Sequence, residues 1–63
     1  MKTYHTNVVC KDLLNVFFTT TPEYDYDKAK EQYKAICDKF SEEYTVALFA
    51  EENVNRVDIL EIR

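Results

Sequence analysis

Glycine is absent from this 63-residue sequence, and histidine and proline each occur once. Loops that hold phosphates or dinucleotides need glycine, because their backbone adopts positive φ or closely approaches the ligand. The strained turn that carries the nucleophile of many hydrolases needs glycine as well. The sequence therefore predicts neither a nucleotide-binding loop of the usual kind nor a hydrolase of that class.

Residues for metal and thiol chemistry are also few. A four-ligand zinc site needs more than the single His5 and the two widely separated cysteines, Cys10 and Cys37. We expect His5 and Cys10 to point to opposite faces of one strand, which prevents a thiol-imidazole pair. We predict no metal, no cofactor and no enzymatic activity. Both cysteines are interpreted as reduced and mostly buried, with a disulfide or a reactive thiol as the alternatives.

The formal charge of −4 is unevenly distributed along the chain. Residues 1–40 contain six acids and six lysines, whereas residues 41–63 contain six acids and two arginines. This negative C-terminal part disfavours binding to phosphate backbones and to anionic lipid. The start of the sequence lacks the apolar core of a signal peptide, and no run is long enough to span a bilayer. We predict a cytoplasmic protein that binds neither nucleic acid nor membrane directly.

The length predicts one small domain over residues 1–63. Residues 3–9 and 13–20 are rich in β-branched and aromatic residues and predict a two-stranded hairpin. Residues 45–50 and 57–62 predict two further strands. The segment between these two strands contains two asparagines, which suit the loop of a second hairpin.

A helix is predicted between Pro22 and Phe40, because apolar residues recur there at steps of three and four. The members of this stripe are Tyr26, Ala29, Tyr33, Ile36, Cys37 and Phe40. Asp25 or Thr21 is expected to cap the helix N-terminus. The order β-β-α-β-β predicts an α+β fold in which one helix packs on one face of a four-stranded, mainly antiparallel sheet.

Alternation along each strand assigns its residues to two faces. In the second strand we expect the even-numbered residues to face the core, namely Leu14, Val16 and Phe18. Odd-numbered residues would then lie on the helix-free face, namely Leu13, Phe17, Thr45 and Phe49. Exposed apolar area of this extent is typical of an interface, so we predict that the helix-free face binds a partner.

Two further features belong to the predicted partner-binding surface. Tyr24 lies in an acidic stretch before the helix, where its ring suits a contact surface or a hydrophobic staple at the helix start. Four acids are expected to form a rim around the apolar centre, namely Glu51, Glu52, Asp58 and Glu61. The same acids suit mimicry of a nucleic-acid backbone towards a basic host protein, or simply a solvated surface.

The run Tyr24-x-Tyr26-Asp27-Lys28-Ala29-Lys30-x-x-Tyr33, followed by Tyr44-Thr45-Val46, resembles a pattern found in very short acidic proteins of bacteriophages and mobile elements. Such proteins include inhibitors of host RNA polymerase and of host defence systems. The resemblance implies a stoichiometric binder of a host protein. It implies no functional residues, because the matching positions are of helix-forming and core type.

We therefore predict a small acidic, non-enzymatic protein-binding module, of the kind that phages use to inhibit a host polymerase, a defence protein or another basic nucleic-acid-binding protein. The alternative is a self-associating structural or accessory protein with no inhibitory role. In that case a second copy completes the marginal core, or an outer strand pairs edge to edge. A homodimer is compatible with both hypotheses.

Overall fold

The computed structural model of the chain describes residues 2–13, 15–53 and 56–63. Within these ranges the elements are β1 (Thr3–Cys10), β2 (Asn15–Thr19), α1 (Tyr26–Lys39), β3 (Tyr44–Asn53) and β4 (Arg56–Ile62). All neighbouring strands pair antiparallel, and the order across the sheet is β2-β1-β3-β4. The predicted α+β fold and its β-β-α-β-β order are confirmed.

The helix begins and ends close to where its sequence signals predict. The Asp25 carboxylate accepts hydrogen bonds from the backbone N–H groups of Asp27 at 2.9 Å and Lys28 at 3.3 Å. These groups have no partner inside the first turn, so the cap stabilises the N-terminus. Lys39 is the last helical residue, and Phe40 has extended backbone angles. Of the two predicted capping residues, the structure selects Asp25.

The core lies between α1 and the two central strands, β1 and β3, on which the helix packs. Even-numbered residues of both strands face the helix, and Val8, Val46 and Leu48 are 0% exposed. Ala29, Tyr33 and Ile36 of the predicted helical stripe complete the buried cluster. Burial raises the pKa of Tyr33 to about 12, so its hydroxyl stays protonated well above neutral pH.

Among the described residues the strand pairing has three irregularities: one lies between Glu51 and Asn53 of β3, and the other two insert a residue in an outer strand. Between β1 and β2 the register passes from Val8 opposite Phe18 to Val9 opposite Val16, so Phe17 is an inserted residue. Between β3 and β4, Leu60 is inserted in the same manner. Because side chains alternate along a strand, one extra residue reverses the faces of everything beyond it.

The strand boundaries differ from prediction at both hairpins. Leu13 belongs to a turn, and β2 begins only at Asn15. β3 continues to Asn53, so the predicted loop over residues 51–55 is largely strand. Leu14, which was predicted to face the core, lies outside the described residues. The same holds for Val54 and Asn55 of the predicted loop.

Candidate protein-binding surface

The sheet face opposite the helix, here named the open face, is built from the odd-numbered residues of β1 and β3 and their neighbours across the sheet. The register places Val57, Ile59 and Ile62 of β4 on this face, opposite Glu51, Phe49 and Ala47 respectively. Their exposed fractions are 53%, 58% and 62%. The open face therefore presents large aliphatic side chains to solvent.

These side chains form one contiguous group on the β3–β4 half of the sheet, here named the apolar cluster. Its members are Ala47, Phe49, Val57, Ile59 and Ile62. The Phe49 ring is stacked on His5 of the neighbouring strand, with ring centroids 5.2 Å apart and planes inclined by 11°. This contact fixes the ring at the centre of the face. The predicted placement of Phe49 and Thr45 on the helix-free side is confirmed by the β1–β3 register.

The open face carries little charge. Among the described strand residues that the register assigns to it, Glu51 is the only acid and none is a lysine or an arginine. The residues beside the apolar cluster on β1 and β2 are mainly polar, namely Thr3, His5, Asn7 and Thr19. In a chain with 32% charged residues, this face is poor in charged residues.

The predicted acidic rim is wrong for two of its four members. Asp58 lies opposite Ala50 and Glu61 lies opposite Leu48, which places both on the helix side. Glu61 forms an ion pair with Lys30 of α1 at 3.1 Å, which raises the pKa of Lys30 through a hydrogen bond and through charge attraction. Asp58 is paired with Arg56 at 3.3 Å. Asp58 and Glu61 therefore lie with their basic partners on the helix side and do not form a rim around the open face.

The predicted placement of Phe17 on the helix-free face is also wrong. Its ring lies 5.5 Å from Tyr44 and 6.0 Å from Phe40, both of which pack against the helix-side core. The inserted position explains the error, because the bulge turns Phe17 and Phe18 to the same side and Val16 to the open face. Val16 was predicted to face the core and is instead 59% exposed. Phe18, opposite Val8, does face the helix side as predicted.

The other predicted contact residues are not brought together. Leu13 lies in the β1–β2 turn and is 69% exposed. Tyr24 is exposed near the opposite end of β1, because its neighbour Glu23 pairs with Tyr4. Glu52 is exposed towards the end of β3. Of the predicted set, Phe49 and Glu51 share the open face.

Four residues of the apolar cluster were absent from the predicted surface, namely Ala47, Val57, Ile59 and Ile62. A signal for two of them exists in the run Arg56-Val57-Asp58-Ile59, where charged and apolar residues alternate. This period of two is typical of a strand with one face in solvent or in an interface. The continuous apolar character expected for an interior strand fits β3 but not β4.

The described ranges were examined for cavities and for groups of metal-ligating side chains. No cavity is found there, and no group of His, Cys, Asp and Glu side chains there could hold a metal ion. His5 faces the open side and Cys10 the helix side, as predicted from alternation. Both cysteines are free thiols.

Comparison with protein-family models, with curated proteins and with solved structures finds no match to this chain. In the part of the chain that the structure describes, no helix is long and apolar enough to cross a membrane.

Proposed function

We propose that this chain is a non-enzymatic protein-binding module whose contact surface is the open face. The observation that carries the proposal is the apolar cluster, in which three large aliphatic side chains are each more than half exposed. A monomeric soluble protein rarely keeps a contiguous patch of this kind without a partner. An apolar centre with few charged residues is the usual composition of an interface core.

The mode of recognition follows from the same composition. Asp58 and Glu61 already have basic partners on the helix side, which weakens the case for recognition by an acidic rim. Binding through the apolar cluster depends mainly on removal of aliphatic surface from water, which salt does not screen. A phage-type inhibitor of a host protein remains our proposal for the biological role, with cytoplasmic action.

Capture from a bacterial lysate tests the proposal. The immobilised chain is compared with Ile59→Thr/Ile62→Thr, which keeps β-branched side chains in β4 but reduces the apolar area. Leu13→Ser is the matched control, since it removes an apolar side chain of similar exposure that lies in the β1–β2 turn and not in a strand of the sheet. We expect the wild type and Leu13→Ser to retain the same protein at low and high salt, and the double variant to lose it.

Two results contradict the proposal. One is a retained protein that is lost at high salt but is still bound by the isoleucine variant. This result would show that the acidic residues, and not the apolar cluster, recognise the partner. The other is the absence of any specifically retained protein under both salt conditions.

A further inference from the structure

We infer that the occupant of the open face is a second copy of this chain, packed face to face so that the apolar cluster of one copy lies against that of the other. This inference rests on the proposed function, because it names the partner of the same surface.

Charge favours a second copy over a basic partner. Each chain carries a net charge of −4, so two copies repel unless the excess acids lie away from the contact. On the open face the register places Glu51 as the single acid among the described strand residues, at the Thr3 end of β1. Among the described strand residues, the centre of the face carries no acid, lysine or arginine, and His5 is stacked on Phe49 there. Two open faces therefore meet without opposing like charges at their centre, whereas a basic surface would find little to pair with.

The size of the face fits a symmetric dimer. The molecule measures 33 × 24 × 16 Å, and the shortest extent is that expected along the stack of helix on sheet. The sheet face is thus limited to roughly 800 Å², which is about the area that each partner contributes to an interface of standard size. Complete burial reaches this class only if the whole face is used, so we expect a dimer that dissociates on dilution.

The edges of the sheet disfavour the other route to self-association, which is pairing of outer strands. Both outer strands carry an inserted residue, Phe17 in β2 and Leu60 in β4. Bulges twist an edge away from a regular hydrogen-bonding partner and are a common protection against edge pairing. Pro22, which lacks a backbone donor, lies on the continuation of the β2 edge. The two-fold contact therefore uses the face of the sheet.

The asymmetry of the open face sets the orientation of the two copies. The β3–β4 half carries the apolar cluster, and the β1–β2 half carries mostly polar side chains. A two-fold axis that runs across the strands places each half on its own counterpart. Apolar groups then meet apolar groups, as an isologous interface requires. A host protein that binds the same face would compete with the second copy.

Sedimentation equilibrium over about 1 µM to 1 mM tests the inference, since contacts of modest area often dissociate in this range. We expect the wild type and Leu13→Ser to approach twice the 7.5 kDa chain mass at high concentration. Ile59→Thr/Ile62→Thr should weaken dimerisation at least about tenfold, because four aliphatic side chains change in each dimer. Far-UV circular dichroism checks the fold of each variant. If the double variant is unfolded, Ile59→Thr alone is measured and should weaken the dimer about threefold or more.

The outcomes separate the inference from the proposed function. A wild type that stays at 7.5 kDa up to about 1 mM overturns the second copy, while loss of lysate capture by the isoleucine variants would still support the binding face. A dimer that is unchanged by the isoleucine substitutions but weakened by Leu13→Ser overturns the face itself, and with it both proposals.

Discussion

The two faces of this sheet share the same strands but differ in what completes them. On the helix side, Val8, Val46 and Leu48 are covered by α1 and lose all contact with water. On the open face, Ile59 and Ile62 remain more than half exposed. A face that only needed to be soluble would carry polar residues at these positions. The helix side therefore holds the buried core, and the exposed isoleucines of the open face are the basis of the proposed contact.

Substitutions on the two faces should differ most in how far they lower the free energy of unfolding. Leu48→Ala leaves a cavity beneath the helix and should lower the free energy of unfolding by about 2–5 kcal/mol. Ile59→Ala removes a side chain that is 58% exposed and should cost less than about 1 kcal/mol in the monomer. Urea denaturation at a concentration where the chain is monomeric measures both. Equal losses would show that the open face is part of the core.

Two buried threonines on the helix side should respond in opposite directions. The Thr20 hydroxyl accepts the buried backbone N–H of Thr6 at 2.9 Å, so Thr20→Val should cost about 1–3 kcal/mol. The Thr6 hydroxyl is buried and has no hydrogen-bond partner within the described ranges. Thr6→Val should therefore stabilise the fold by about 1 kcal/mol. Thermal unfolding distinguishes the two, and destabilisation by Thr6→Val would imply a partner for that hydroxyl.

The helix cap makes a smaller contribution to the covered face. Asp25→Ala removes the acceptor for two backbone N–H groups and should reduce the free energy of unfolding by about 1 kcal/mol. Asp38→Ala is the matched control, because this acid lies in the last turn, where the helix dipole disfavours it. We expect no loss for the control in urea denaturation. A loss as large as that of Asp25→Ala would indicate a general effect of charge.

The smallest effect is expected for the ion pair between Glu61 and Lys30. Both side chains are more than a third exposed, so Glu61→Gln should cost less than about 1 kcal/mol. It should also leave dimerisation and lysate capture unchanged, because Glu61 lies on the helix side. Sedimentation and capture provide the measurement. A clear loss of dimerisation or of lysate capture would show that Glu61, a member of the predicted acidic rim, belongs to the contact surface.

The fold was predictable from local signals, whereas the membership of the surface was not. Three signals depend only on residues close together in the sequence and could be recognised there: the Asp25 cap, the helical stripe and the apolar run of β3. The insertion at Phe17 depends on how β2 pairs with β1, and no residue type marks it. That single insertion exchanged the faces of Phe17 and Val16. The alternation of charged and apolar residues around Ile59 could also be recognised in the sequence. It indicated that β4 has one exposed face and is not an interior strand.

Contact between copies through the open face is tested most directly at the three isoleucines of the chain, Ile36, Ile59 and Ile62. Ile36 lies in the helix-side core, and the other two lie in the apolar cluster. In a chain labelled only at the isoleucine δ1 methyls, each signal is followed by NMR as concentration rises from about 10 µM to 1 mM, a range suited to an interface of this area. We predict that the signals of Ile59 and Ile62 shift or broaden while that of Ile36 stays in place. Equal changes in all three signals would contradict dimerisation through the open face. Unchanged signals of Ile59 and Ile62 while the chain dimerises would contradict it as well.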